Sequence, residues 1–83
     1  MKDNALNLRA SLPPSSREDF VYDSLREAIL NGQLKPHETV SQIEIARQLR
    51  VSPIPVRAAI SRLIAEGLMT QEPHHSPTVS ALS

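Results

Sequence analysis

Four arginines, Arg47, Arg50, Arg57 and Arg62, fall in one short stretch of this 83-residue chain. A guanidinium offers a planar fork of donors that matches a phosphate, or the O6/N7 edge of guanine in the major groove. The hydroxyls of Ser52 and Ser61 are interleaved with them, and His74 and His75 stand side by side further on. Such a set suits recognition of a polyanion. It does not suit bond-making chemistry. Cysteine is absent, which removes disulfides, thiolate metal sites and thiol nucleophiles together. Serines, histidines and carboxylates form no recognisable nucleophile motif, and so small a chain cannot enclose a pocket around one. Adjacent histidines on a turn rarely converge on one ion, and His37 has no spacing relation to them, so all three read as surface residues. Neither a catalytic residue, nor a metal, nor a cofactor is expected.

Charge is balanced overall but unevenly placed. Nine Lys and Arg face nine Asp and Glu, giving a net charge of zero. Residues 1–44 hold five basic and seven acidic side chains, whereas residues 45–83 hold four arginines against Glu66 and Glu72. The anion-facing part is therefore expected in the middle of the chain, although a nucleic-acid binder normally carries a larger basic excess. No apolar stretch approaches the roughly 20 residues of a membrane span, and Met1-Lys2-Asp3-Asn4 lacks the apolar run of a secretory signal. A soluble, cytoplasmic protein is the default expectation.

Three helices and a hairpin must position the arginines. Residues 1–16, with Pro13-Pro14 and leucines at no sustained period, read as a flexible tail. A first helix is expected to start after Ser15 or Ser16, each in a capping-box pattern with Glu18 or Asp19. Val21, Leu25, Ala28 and Ile29 form its buried stripe, and Gly32 stops it. Gln33 to His37 form a turn, and Val40 falls in a brief strand. Ser41 with Glu44 opens a short helix over Gln42 to Leu49. After the tight turn Arg50-Val51, Ser52 caps a third helix from Pro53 to Glu66. Proline costs nothing at the first helical position, where the N–H has no helical partner. Val56, Ala59, Ile60, Leu63 and Ile64 recur at helical spacing, and Gly67 supplies the stop. Leu68 to Glu72 and Thr78 to Ser80 read as two short strands around a polar tip, 73–77. The fold class is mainly α with a small β-hairpin, a winged helix-turn-helix over residues 17–81, with 82–83 beginning a linker.

Two short helices joined by a tight turn let the second enter the major groove of duplex DNA. Opposite its apolar stripe the third helix carries Ile54, Arg57, Ala58 and Ser61, with Arg62 further along where a reading helix meets the backbone. Arg57 is placed to fork onto guanine or clamp a phosphate. The helix N-terminus at Ser52 adds backbone N–H groups for a phosphate. The candidate DNA contacts are Ser52, Ile54, Arg57, Ser61, Arg62, Arg47, Arg26, His74 and His75. The alternative is a protein-interaction winged helix that has lost DNA binding, favoured by zero net charge and by Pro53.

The stretch from Val21 to Val79 resembles the DNA-binding domain of the GntR family of bacterial transcription regulators, particularly its FadR-type branch. Leu25-Arg26, Ile29, Gly32, Leu34 and Pro36 match its first helix and turn. Ile45-Ala46, Leu49 and Val51-Ser52 match the second helix and turn. Pro55-Val56-Arg57, Ala59-Ile60, Leu63 and Glu66-Gly67-Leu68-Met69 match the reading helix and the entry to the wing. The resemblance implies dimeric binding to a pseudo-palindromic operator, the reading helix in the major groove and the hairpin tip near the minor groove. It also implies a homodimer in the full-length regulator, controlled by a small-molecule effector through a C-terminal domain that this chain lacks. Four positions depart from the pattern. Pro53 stands where an arginine contacts DNA, and Ala58 where a glutamate follows the reading arginine. His37 and Ser76 replace glycines, and Ser76 argues against the usual wing-tip turn, since glycine reaches positive φ without strain.

Overall fold

The computed structural model describes residues 14–81. Helix α1 spans Pro14–Leu30, α2 Gln42–Leu49 and α3 Pro53–Ala65, followed by strands β1 (Met69–Thr70) and β2 (Thr78–Val79). This is the expected order of a winged helix-turn-helix. Residues 1–13 and 82–83, which hold most of the expected tail and the expected linker, lie outside the described residues.

Helix α1 starts earlier than its serine pattern suggests. Pro14 is its first residue, so Ser15 and Ser16 lie inside the helix and neither can be an N-cap. The fixed φ of proline is already helical, and its missing N–H is no loss in the first turn. Glu18 and Asp19 are thereby released from capping and serve elsewhere. At the far end Gly32 takes φ +87, as its place after the last turn requires.

The three helices share one core. Val21, Leu25 and Ile29 of α1 meet Val56, Ala59, Ile60 and Leu63 of α3, and Ala46 of α2 closes the third side. Helix α3 is central, packing on α1, α2 and β1. Val56, Ile60 and Leu63 are 0–1% exposed. Burial on that scale stabilises by roughly 1.5–3 kcal/mol per side chain, so the position and rotation of α3 are fixed from its buried side.

The wing is shorter in strand and better anchored than its sequence suggests. β1 and β2 pair antiparallel over only two residues each, Met69 opposite Val79 and Thr70 opposite Thr78. The pairing ends before the tip, where Pro77 turns its carbonyl to the Val40 N–H on the other edge of β2. On its other edge β2 meets the segment before α2, where Thr39 bridges Thr78. His37 N–H donates to the Val79 carbonyl (2.8 Å), Val79 N–H to Glu38 (2.9 Å) and Val40 N–H to Pro77 (3.0 Å). Val40 is buried beside this bridge, close to the brief strand expected there. With Met69 and Val79 also in the core, the hairpin is tied to the helices on both edges.

Candidate nucleic-acid interface

The helix-turn-helix unit is held by two caps of different kinds. At the start of α2 the Ser41 hydroxyl accepts from the Glu44 N–H at 3.2 Å, half of the expected capping box. At its end Arg50 adopts the left-handed conformation, φ 59 and ψ 45. The Val51 N–H then donates back to the Ala46 carbonyl at 3.0 Å, closing a Schellman-type turn. Gly67 ends α3 in the same way, with Leu68 N–H donating to Leu63 at 2.9 Å. The chain reverses within two residues, and α3 begins at once.

The N-terminus of α3 differs from the expected anion cradle. Ser52 is the N-cap, but its side chain makes no capping hydrogen bond. A capping serine accepts from the N–H of the second or third helical residue, and the third here is Pro55. Pro53 and Pro55 together remove two of the N–H groups that a helix start normally offers. A phosphate here therefore meets fewer main-chain donors than the sequence suggests, and the Ser52 hydroxyl is left for other partners.

Beyond that turn the outward face of α3 carries Ile54, Arg57, Ala58 and Ser61 as expected. Ile54 is 78% exposed, Arg57 and Ser61 are exposed, and Ala58 is half-buried. Among the described residues Arg57 makes no ion pair, so its fork points to no internal carboxylate.

Arg62, expected at the DNA backbone, is turned towards α1 in this structure. Its guanidinium donates to Asp19 at 2.7 Å and Glu18 at 3.3 Å, both on α1. It also lies over the Tyr22 ring at 4.0 Å from the centroid. The hydrogen bond to Asp19 is the main reason its protonated form is held more firmly than usual. One turn on, the Tyr22 hydroxyl donates to Glu66 at 2.5 Å, and this bond raises the phenol above its ordinary range. Arg62 and Glu66 thus brace α3 against α1.

Arg47 and Arg26 are also placed differently from Arg57. Arg47 forks onto Glu44 with contacts of 2.7 and 2.6 Å, an exposed pair one helical turn long. The Arg47 bond, then one from Gln48, holds the Glu44 carboxyl below its usual range. Arg26 lies one turn beyond Tyr22, which touches the C-terminal end of α3. The nine residues from Arg57 to Glu66 span ~13 Å of helix, so the fold does not bring Arg26 to the reading turn.

At the wing tip the His75 N–H donates to the Glu72 carbonyl at 3.0 Å, and the residue between Pro73 and His75, His74, has φ 64. Proline followed by a positive φ is the signature of a type II turn. Ser76 does not take the positive φ of the glycine it replaces, and the positive φ of the tip falls on His74. At His37 the glycine-like conformation is kept, with φ 72. His75 turns its ring inward, its Nδ1 lying 2.8 Å from the Pro73 carbonyl. His74 and His75 both remain exposed beside the start of α2.

Residues 17–79 match the sequence pattern described as bacterial regulatory proteins, gntR family. The chain belongs to that family. An uncharacterised HTH-type transcriptional regulator of Agrobacterium vitis is 36% identical to this GntR chain over 73 residues, which is 88% of the chain and 43% of that protein. A GntR-family transcriptional regulator from Pseudomonas syringae pv. tomato superposes with a TM-score of 0.75 at 32% identity, covering 87% of this chain and 30% of that one. The N-terminal domain of AraR, solved in complex with ORR3, has the same fold at 24% identity, with a TM-score of 0.71 over 84% of this chain and 97% of that one. The chain thus corresponds to the DNA-binding domain of a GntR transcription regulator and spans less than half the length of the relative from Agrobacterium vitis. Among its described residues no helix is long and apolar enough to cross a membrane, and no three His, Asp or Glu side chains converge as for a metal ion.

The brace between α1 and α3 has no signal in the sequence of this GntR domain, since its partners are 43 and 44 residues apart. Arg50 reads in the sequence only as part of the turn. Its backbone conformation is visible in the structure alone.

Proposed function

We propose that this domain binds double-stranded DNA sequence-specifically, with α3 in the major groove and the 73–77 tip near the minor groove. The observation that carries the reading is the outward face of α3. An arginine without a carboxylate partner among the described residues sits there with Ile54, Ala58 and Ser61, on a helix locked in place by its fully buried opposite side. Arg57 reads a guanine edge, Ile54 offers an apolar contact of the kind a thymine methyl accepts, and Ser61 and Ser52 supply hydroxyl donors. Arg47 joins from α2, because an exposed i,i+3 pair is weak enough to exchange its carboxylate for a phosphate. His74 and His75 present polar edges from the wing. Arg62 keeps its carboxylate partners on α1, and Arg26, exposed on α1, stays away from the reading turn. The full regulator is a cytoplasmic homodimer on a pseudo-palindromic operator, controlled by a small-molecule effector in a domain beyond this one.

The test is a titration against a duplex enriched from a random-sequence pool, at several salt concentrations. A bidentate arginine–guanine contact is worth about 1–3 kcal/mol of discrimination. Arg57→Ala should therefore remove most of the preference for the enriched duplex over a scrambled one while leaving the thermal melt unchanged. Equal preference in wild type and variant would move the reading residue elsewhere on α3.

A further inference from the structure

We infer that Arg50, in the turn between α2 and α3, is a sequence-independent phosphate anchor that replaces the main-chain donors lost at Pro53 and Pro55. The inference rests on the DNA-binding reading above and adds a residue to it. Arg50 holds φ 59 and ψ 45, a conformation that glycine takes without strain and that an arginine takes at a cost. Its backbone N–H is spent on the Ala46 and Arg47 carbonyls, so the main chain is fixed and the root of the side chain does not wander. The side chain is exposed, and among the described residues it makes no hydrogen bond or ion pair. Arg47 is held by Glu44, and Arg62 by Asp19 and Glu18. A cation kept at a strained position without an internal partner points to an external one.

Its place in the chain says what that partner is. Arg50 stands two residues before Ser52, the N-cap of the helix that enters the groove. The DNA backbone flanking that groove passes the start of such a helix, where backbone N–H groups ordinarily bind a phosphate. Proline at the first and third helical positions leaves that end short of donors. A guanidinium on a long flexible stem, rooted at the rim, supplies both the donors and the charge.

A cation at the end of α2 also suits the helix dipole, and the two roles predict different behaviour. The 83-residue chain is titrated with the enriched duplex and with a scrambled duplex of the same composition, each across a series of salt concentrations. With Arg50→Gly we expect affinity to fall severalfold for both duplexes alike, leaving their ratio unchanged. The slope of log affinity against log salt should become shallower by about 0.9, the value for one phosphate no longer neutralised. Arg50→Lys should restore the slope, and the Arg50→Gly melt should not drop, because glycine relieves the turn. An unchanged slope in Arg50→Gly, with or without a lower melting temperature, overturns the anchor. Absence of salt-dependent binding by the wild-type chain to either duplex would sink the DNA-binding reading itself, a result separable from failure of Arg50 alone.

Discussion

Two prolines in the first turn of α3 decide how much of its N-terminus can hold an anion. Pro53 and Pro55 each lack an N–H, so Ser52 caps by position without its side chain, and the usual main-chain cradle is depleted. Returning a donor and a cation at the exposed position 53 should therefore strengthen binding. Pro53→Arg is expected to raise affinity and to steepen the salt dependence by about one phosphate contact. A filter-binding series showing neither change would mean that α3 docks at a different angle from the one proposed. A second residue-scale effect concerns stability alone. His37 holds φ 72 at a turn that the family fills with glycine, while its N–H donates to Val79. The left-handed conformation costs a non-glycine residue about 1–2 kcal/mol, partly returned because glycine loses more chain entropy on folding. His37→Gly should raise the melting temperature by a few degrees. A lower melting temperature would show that the His37 side chain contributes more than its backbone costs.

At the scale of elements, what the sequence reveals depends on how local the cause is. The apolar stripe of α3, the Ser41 cap and the Gly67 stop are set within a few residues, and each is legible from spacing alone. Spacing misplaces the start of α1 by two or three residues, because Pro14 is as good a first helical residue as Ser15 or Ser16 is a cap. It draws the strands too long, because period-two patterning does not register that the chain already enters the turn closed by the His75 N–H on the Glu72 carbonyl. The positive φ of the wing falls on His74, not Ser76, because Pro73 pre-sets the first corner of a type II turn. Arg62 reads as a DNA contact for want of any signal linking it to Asp19, Glu18 and Tyr22. Those contacts make a prediction. The Tyr22 phenol is raised above its ordinary value, chiefly by its bond to Glu66. A raised folded-state value means that the bond stabilises fully below about pH 10, the unfolded value, and is lost as pH climbs through the folded one. Tyr22→Phe should therefore melt below wild type at about pH 7–9, and the difference should close above about pH 10. Arg62→Ala should likewise lower the melting temperature yet leave the salt slope of DNA binding untouched. A shallower slope in that variant would return Arg62 to the interface.

For the whole molecule the governing fact is a net charge of zero. Long-range attraction of this chain to DNA is therefore weak, and on the reading proposed above binding depends on a local surface: Arg57 with Arg50 at the front of α3, helped by Arg47. The acidic side chains are not wasted, since Glu18, Asp19 and Glu66 hold α1 to α3 and Glu44 steadies α2. With so few phosphate contacts, one domain on one half-site should bind modestly and with a shallow salt dependence. Useful affinity then requires two domains at once. Linking two copies makes the second binding event intramolecular, at an effective concentration set by the linker. A C-terminal fusion to a parallel coiled coil should accordingly raise affinity for a full palindromic site by about 10²–10⁴-fold over the unfused chain. The same fusion should gain little on an isolated half-site, and the full-site gain should depend on half-site spacing in steps of one helical turn, about 10–10.5 base pairs. Equal affinity of the fused form for half-site and full-site duplexes would mean that the two reading helices cannot engage together, and that dimerisation is not what makes this domain an operator binder.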